Sequence, residues 1–273
     1  MRSPAVVYLL GVGALTLLAP LLLGNRPFAI DLGLILEPPS LAHPLGTDEN
    51  GRDVLARLVW GTRATFGIGL GGAALSVILG VACGAIAGYR GGWIDSVLMR
   101  VVDFALAFPS LFVILLFSAV FNTGVVQIVV LIGLTGWMTV ARLTRGVFRE
   151  LVTSPFVEAA HAAGASGPRV VVRHLLPNTT GVLIVASLAQ LNRAILTEAT
   201  ISFLGMGVKP PEPTWGNLLI GAQNYLWTAP WLAIAPGVAI TTTLLVIFTL
   251  GDSGQRLRFR SVGRASAERA HAA

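Results

Sequence analysis

No charged side chain falls between Arg2 and Arg26, and the same holds for residues 64–89, 104–141, 175–192 and 213–251. About 20 apolar residues in a helix cross the ~30 Å of hydrocarbon in a bilayer, so each run is long enough to span one. The third is too long for a single pass: at ~1.5 Å per residue it would extend about 57 Å, which predicts two spans broken near Asn122-Thr123-Gly124. The fifth run also exceeds one pass. Its Trp-rich start, Pro230 and Pro236 predict an interfacial segment followed by one span over roughly 231–250. Six spans result, and the expected fold is an all-α polytopic membrane protein. With 54% hydrophobic and 12% charged residues, the chain lies far from the ~25% charged of soluble domains.

The first run follows Arg2 as a signal peptide would. It is longer than the 7–15 residues of a signal core and no small-x-small site follows, so it reads as an uncleaved first span. Placing the N-terminus inside puts thirteen of the nineteen Lys and Arg on the inner side, five outside, and Arg193 within a span. That asymmetry predicts both termini in the cytoplasm. The +6 net charge therefore reads as topology and lipid headgroup contact, with nucleic acid excluded as a partner. A lone cysteine, Cys83, lies in an apolar run and permits no intrachain disulfide.

Against this background residues 154–178 form the one polar stretch expected to be ordered away from the membrane. Ser154 is placed to cap a helix with Pro155 at its first position, and Gly164 can end that helix in a left-handed conformation. A second short helix can start at Ser166 and is expected to stop before Pro177. The Ala-rich surface between them admits close approach by another protein.

Within that stretch, Glu158-Ala159-Ala160, three residues, Gly164, nine residues and His174-Leu175-Leu176-Pro177 are similar to the EAA motif, the cytoplasmic loop signature of bacterial ABC import permeases. The fuller text through Asn178 resembles the dipeptide/oligopeptide/nickel branch, and within it the second of two paired permease subunits. Residues 43–55, 87–95, 99–103, 200–208, 210–216 and 229–232 resemble the same branch. The match spans about residues 41–252 and deteriorates at Gly251-Asp252-Ser253-Gly254-Gln255-Arg256.

This resemblance implies a type I ABC importer permease fold: an N-terminal span and external loop (1–62), a permease core (63–252) with a coupling loop (150–178), and a cytoplasmic tail (253–273). It implies that the loop forms coupling helices docking on an ATPase, carried by Phe156, Glu158, Ala159, Ala160, Gly164 and Ser166. The implied partners are a second homologous permease subunit, two ATP-binding subunits or domains, an extracytoplasmic solute-binding protein and membrane lipids. The implied location is the bacterial cytoplasmic membrane, and the implied cargo is a di- or oligopeptide or a related solute such as a nickel chelate.

The residues themselves offer no Ser/His/Asp, metal or paired-carboxylate constellation. The only lysine, Lys209, precedes Pro210, so no Walker loop ending in Lys-Ser/Thr exists. The chain is expected to be a non-enzymatic transport subunit without a cofactor of its own, ATP and Mg being bound by partner ATPases. Polar residues in the fifth span, where an unpaired charge costs at least ~2.5 kcal/mol, are candidates for the translocation pathway: Gln190, Arg193 and Thr197 at i, i+3 and i+7, with Glu198 and, on the third span, Asp103. Snorkelling competes with that role for Arg193, and pairing with Arg100 or Arg142 competes with an inner-gate role for Asp103.

Five further expectations concern structure. Gly67 and Gly71, and then Gly80, Gly84 and Gly88, recur at four-residue spacing and favour close helix packing over a dinucleotide fingerprint. Asp48, Asn50 and Asp53 suit an Asx turn with Arg–Asp pairing better than a calcium loop. Arg142, Arg145 and Arg149 share a face suited to lipid phosphates or acidic ATPase residues, while Trp215, Trp227 and Trp231 are expected at the membrane interface. The tail from Ser261 is expected to be disordered. The competing reading is an ion-gradient-driven secondary transporter or channel, which mid-membrane broken helices and a proton-relay carboxylate would support; a membrane scaffold would lack the polar face of the fifth span.

Overall fold

A computed structural model describes the backbone of residues 4–121 and 124–271, and side chains through residue 252 of that set. The described chain is α-helical: α1 Pro4–Leu23, α2 Val54–Arg90, α3 Gly92–Leu106, α4 Ser110–Val120, α5 Val125–Val152, α6 Pro155–Ala162, α7 Gly167–Val170, α8 Leu176–Phe203 and α9 Trp231–His271. Five helical runs are long and apolar enough to cross a membrane, and the pair α3 and α4, bent by 69°, makes a sixth if it counts as one span. The bend falls at Pro109, which lacks an N–H and disfavours helical backbone at Phe108. Of the break expected between the third and fourth spans, Asn122 and Thr123 lie outside the described residues.

Three boundaries differ from expectation. Helix α2 begins ten residues before the apolar run because Asp53 caps it, its Oδ1 accepting from the Ala56 N–H at 2.8 Å. The helix after Ser166 does not stop before Pro177. It passes through a π turn, Val171–Leu175, in which the Leu176 N–H donates to the Val171 carbonyl, and then continues as α8. That wider turn accommodates a residue with no amide hydrogen at the second position of α8. The tail expected to be disordered from Ser261 continues the backbone of α9 to His271; it is rich in Ala, the strongest helix former, and has no proline.

The chain divides into two compact units, and α2, α5, α8 and α9 each contribute a segment to both. One comprises Met1–Gly72, Leu111–Ile132 and Leu191–Ile247. Its core joins Ile68, Ile114, Ile128, Ile132, Ala194 and Ile201. Here Gly72 and Gly69 permit close contact, since a Cβ on either would stand 2.7 Å from Ile132 and Ile195 respectively. Gly67, expected on a packing face, has open space around it.

The loop before α2 belongs to this unit and is held as an Asx turn with Arg–Asp pairing. Asp48 Oδ1 accepts from the Asn50 and Arg52 N–H groups, both at 2.9 Å, and Arg52 Nε lies 2.7 Å from Asp48 Oδ2. His43 Nδ1 and Asp53 Oδ2 stand 2.9 Å apart, and Trp231 Nε1 donates to the Thr47 carbonyl at 3.1 Å. Trp227 is almost fully exposed, whereas Trp215, expected at the interface, is buried. Its indole donates to the Leu58 carbonyl at 3.0 Å and meets Phe66 edge-on, pinning the segment after α8 against α2.

The other unit comprises Ala73–Ser110, Gly133–Gln190 and Phe248–Ala273. In it α2 and α5 approach backbone to backbone. A Cβ on Gly80, Gly84 or Gly88 would stand 2.6 Å from the Trp137 carbonyl, 2.4 Å from the Ala141 carbonyl or 2.8 Å from the Arg145 carbonyl. Without side chains along that row the helices interlock, the device that small residues serve in lipid, where no hydrophobic force drives helices together.

Candidate functional site

The second unit carries α6, the element read from the polar stretch. Ser154 has the extended backbone of a cap (φ −80°, ψ 144°) and Pro155 follows it, but the Ser154 side chain makes no capping hydrogen bond. At the other end Gly164 adopts φ +80°. Its N–H donates to the His161 carbonyl at 2.9 Å and that of Ala165 to the Ala160 carbonyl at 3.0 Å, a paired closure that needs a left-handed residue where glycine stands.

The two faces of α6 differ. Val157 is buried with Phe148, Val170 and Leu175, and Ala160 packs half-buried against the same cluster. Phe156, Glu158, Ala159, Gly164 and Ser166 are exposed. Five of the six expected coupling residues thus face outward and Ala160 faces inward. Tyr89 of α2 secures the helix from the side, its hydroxyl 3.3 Å from His161 Nε2.

The same unit holds a charge cluster that spacing alone could not assign. Arg145 Nε and Nη2 fork onto the two oxygens of buried Asp95 at 2.5 and 2.6 Å, and Arg149 Nη1 stands 3.6 Å from the same carboxylate. Arg145, expected toward lipid or a partner, instead ties α5 to α3. Asp103 pairs with Arg142 at 2.5 Å, both side chains more than half exposed. Removing one partner of a buried pair costs roughly 3–5 kcal/mol, against about 0–1 kcal/mol for an exposed one. Because Arg145 is 30% exposed, Arg145→Ala should fall at the lower end of that range. It should still lower the thermal midpoint of the detergent-solubilised chain clearly more than Arg142→Ala; equal midpoints would refute the ranking.

The polar residues of the fifth span separate in the structure. Gln190, buried, donates from Nε2 to Thr139 Oγ1 at 2.9 Å, an interhelical bond to α5. Arg193 and Thr197 are half-buried, and neighbouring Asn192 donates to the Leu244 carbonyl at 3.2 Å. Glu198 is fully buried in the first unit, accepting from Ser202 Oγ at 2.7 Å, and is therefore not on an accessible surface in this conformation. The row of three at i, i+3 and i+7 thus places only Arg193 and Thr197 where a side chain is partly accessible. Among the described residues no group of three or more His, Cys, Asp or Glu could hold a metal ion.

The chain is similar in sequence to known transport proteins. Over 250 residues the chain is 37% identical to a putative peptide transport system permease protein of Brucella suis, covering 90% of this chain and 83% of that one. A putative peptide permease protein of the same organism matches at 37% over 235 residues, 85% of this chain and 78% of the relative. A glutathione transport system permease protein of Pectobacterium atrosepticum matches at 35% over 222 residues, 81% and 74% of the two chains. Residues 80–264, which include the glycine-lined part of α2, the charge cluster and α6, match the family described as binding-protein-dependent transport system inner membrane component. The chain is a membrane permease subunit of that family, homologous to permeases of peptide and glutathione transport systems.

Proposed function

We propose that this permease is one half of the pathway of an ATP-driven ABC importer for peptides or related small solutes. In this reading a second, homologous permease supplies the other half, two ATP-binding subunits drive it, and a solute-binding protein delivers cargo from outside. The observation that carries the reading is the form of α6: an exposed row of Phe156, Glu158 and Ala159 on a helix anchored through Val157 and braced by Tyr89. A rigidly based protrusion of this kind transmits force. ATP can bias the conformational equilibrium only through contacts that differ between states, and this row is suited to making them. Both termini then lie in the cytoplasm and α6 faces the ATPase. Arg193 and Thr197 are the residues through which the fifth span meets the pathway. Peptide cargo is supported by the names of the relatives, and the motif text favours the second subunit of the permease pair.

Proteoliposomes containing the two permeases, the ATP-binding subunits and the binding protein test the reading. Uptake of a labelled di- or tripeptide should require ATP inside and the binding protein outside, and an ion gradient alone should not replace them. Uptake by this chain without ATP-binding subunits would overturn it.

A further inference from the structure

We infer that the C-terminal end of α2 forms a specific site for an anionic phospholipid, beside the base of α6. A groove of about 440 Å3 lies in the second unit between the last two turns of α2 and the start of the helix that becomes α8. Ile86, Pro168, Val171 and Val172 give it apolar walls, and Tyr89 and Arg90 supply its polar groups. None of its lining residues is a carboxylate.

The walls continue onto surface that must meet acyl chains if these helices cross a membrane, since Ile86 is 52% and Val172 65% exposed. Arg90 marks the point where the apolar run of α2 ends, the level at which a phosphate headgroup sits. Arg90 is the one cation among the lining residues. An apolar trough ending in a cation, with no opposing negative lining, complements one phosphate above two hydrocarbon chains. Basic pockets between membrane helices hold anionic headgroups in this way.

Tyr89 gives the occupant a structural consequence. It lines the groove and its hydroxyl contacts His161 of α6, so a lipid wedged there supports the placement of that helix. The inference rests on the helices being membrane-spanning, and on neither the cargo nor the ATPase.

Native mass spectrometry of the purified chain with equimolar phosphatidylglycerol and phosphatidylcholine tests it without any transport assay. The first lipid adduct should favour phosphatidylglycerol by about fivefold, the effect of one cationic side chain at a membrane surface. Arg90→Gln, an exposed change, should bring the two lipids to parity, whereas Arg142→Gln should leave the preference intact. Val172→Trp or Ile86→Trp, which fill the groove without altering charge, should weaken adducts of both lipids. Millimolar glycerol phosphate should not displace the lipid. Parity in the wild type, preference surviving in Arg90→Gln, adducts unchanged in both filling variants, or displacement by glycerol phosphate would each overturn the inference.

Discussion

Gly84→Leu should leave almost no folded protein in the membrane, while Gly67→Leu on the same helix should behave like the wild type. A Cβ at position 84 would stand 2.4 Å from the Ala141 carbonyl oxygen, 2.7 Å from the Thr144 Cβ and 3.0 Å from the Arg145 amide nitrogen. Two of those atoms are helix backbone and cannot swing aside. Helix α5 would have to retreat as a whole, losing the contacts at Gly80 and Gly88 together with the Ser76 hydroxyl bond to the Gly133 carbonyl at 3.2 Å. Overpacking a core against yielding side chains costs about 1–3 kcal/mol, and opposition from backbone places this site at or beyond that range. At Gly67 the added atoms enter open space. The yield of monodisperse protein after extraction, and its melting midpoint, compare the two variants directly. Similar values for both would show that α2 and α5 do not interlock as described.

The second large effect concerns α6. Ala159→Arg should reduce ATP-driven uptake about 30-fold or more, the loss that follows from about 2 kcal/mol at a protein contact, with the chain still folded and inserted. Ala159 is exposed, so the new side chain disturbs no packing in the subunit itself. Ala160 would be a poorer test, because it is half-buried in the cluster around Phe148 and a large residue there damages the base. Gly164→Val examines the same element through its backbone: at φ +80° a β-branched residue is strongly disfavoured, and the closure onto Ala160 and His161 should open. Co-purification of the ATP-binding subunits separates weakened docking from failed transmission. Normal uptake in both variants would remove α6 from the coupling role.

Residue pattern made the membrane helices legible because apolar runs bounded by charges are a direct record of the solvent they meet. The start and closure of α6 were legible for a similar reason: Pro155 and Gly164 act on backbone within a few residues of themselves, although Ser154 makes no side-chain capping bond. What depends on distant partners was not. Asp95 and Arg145 are fifty residues apart in sequence, and nothing local to either announces the fork between them. Gln190 looked accessible by helical spacing and proved to be bonded to Thr139, since spacing assigns a face but not its neighbour. Trp215 shows the same limit: an interfacial residue by composition, it is buried because Leu58 and Phe66 offer its indole an acceptor and an edge. Pro177 misled in the other direction, because the rule that proline ends a helix presumes α geometry before it.

That exception reaches well beyond five residues. Inserting one residue into a helix turns everything after it by about 100°. The wide turn at Val171–Leu175 therefore works as an angular offset, deciding which side of α8 presents Gln190 to Thr139 for a given seating of Val170 beneath α6. The base of α6 and the bonding face of the following helix need not obey a single helical repeat, so each can settle its own fit while the rod between them stays unbroken.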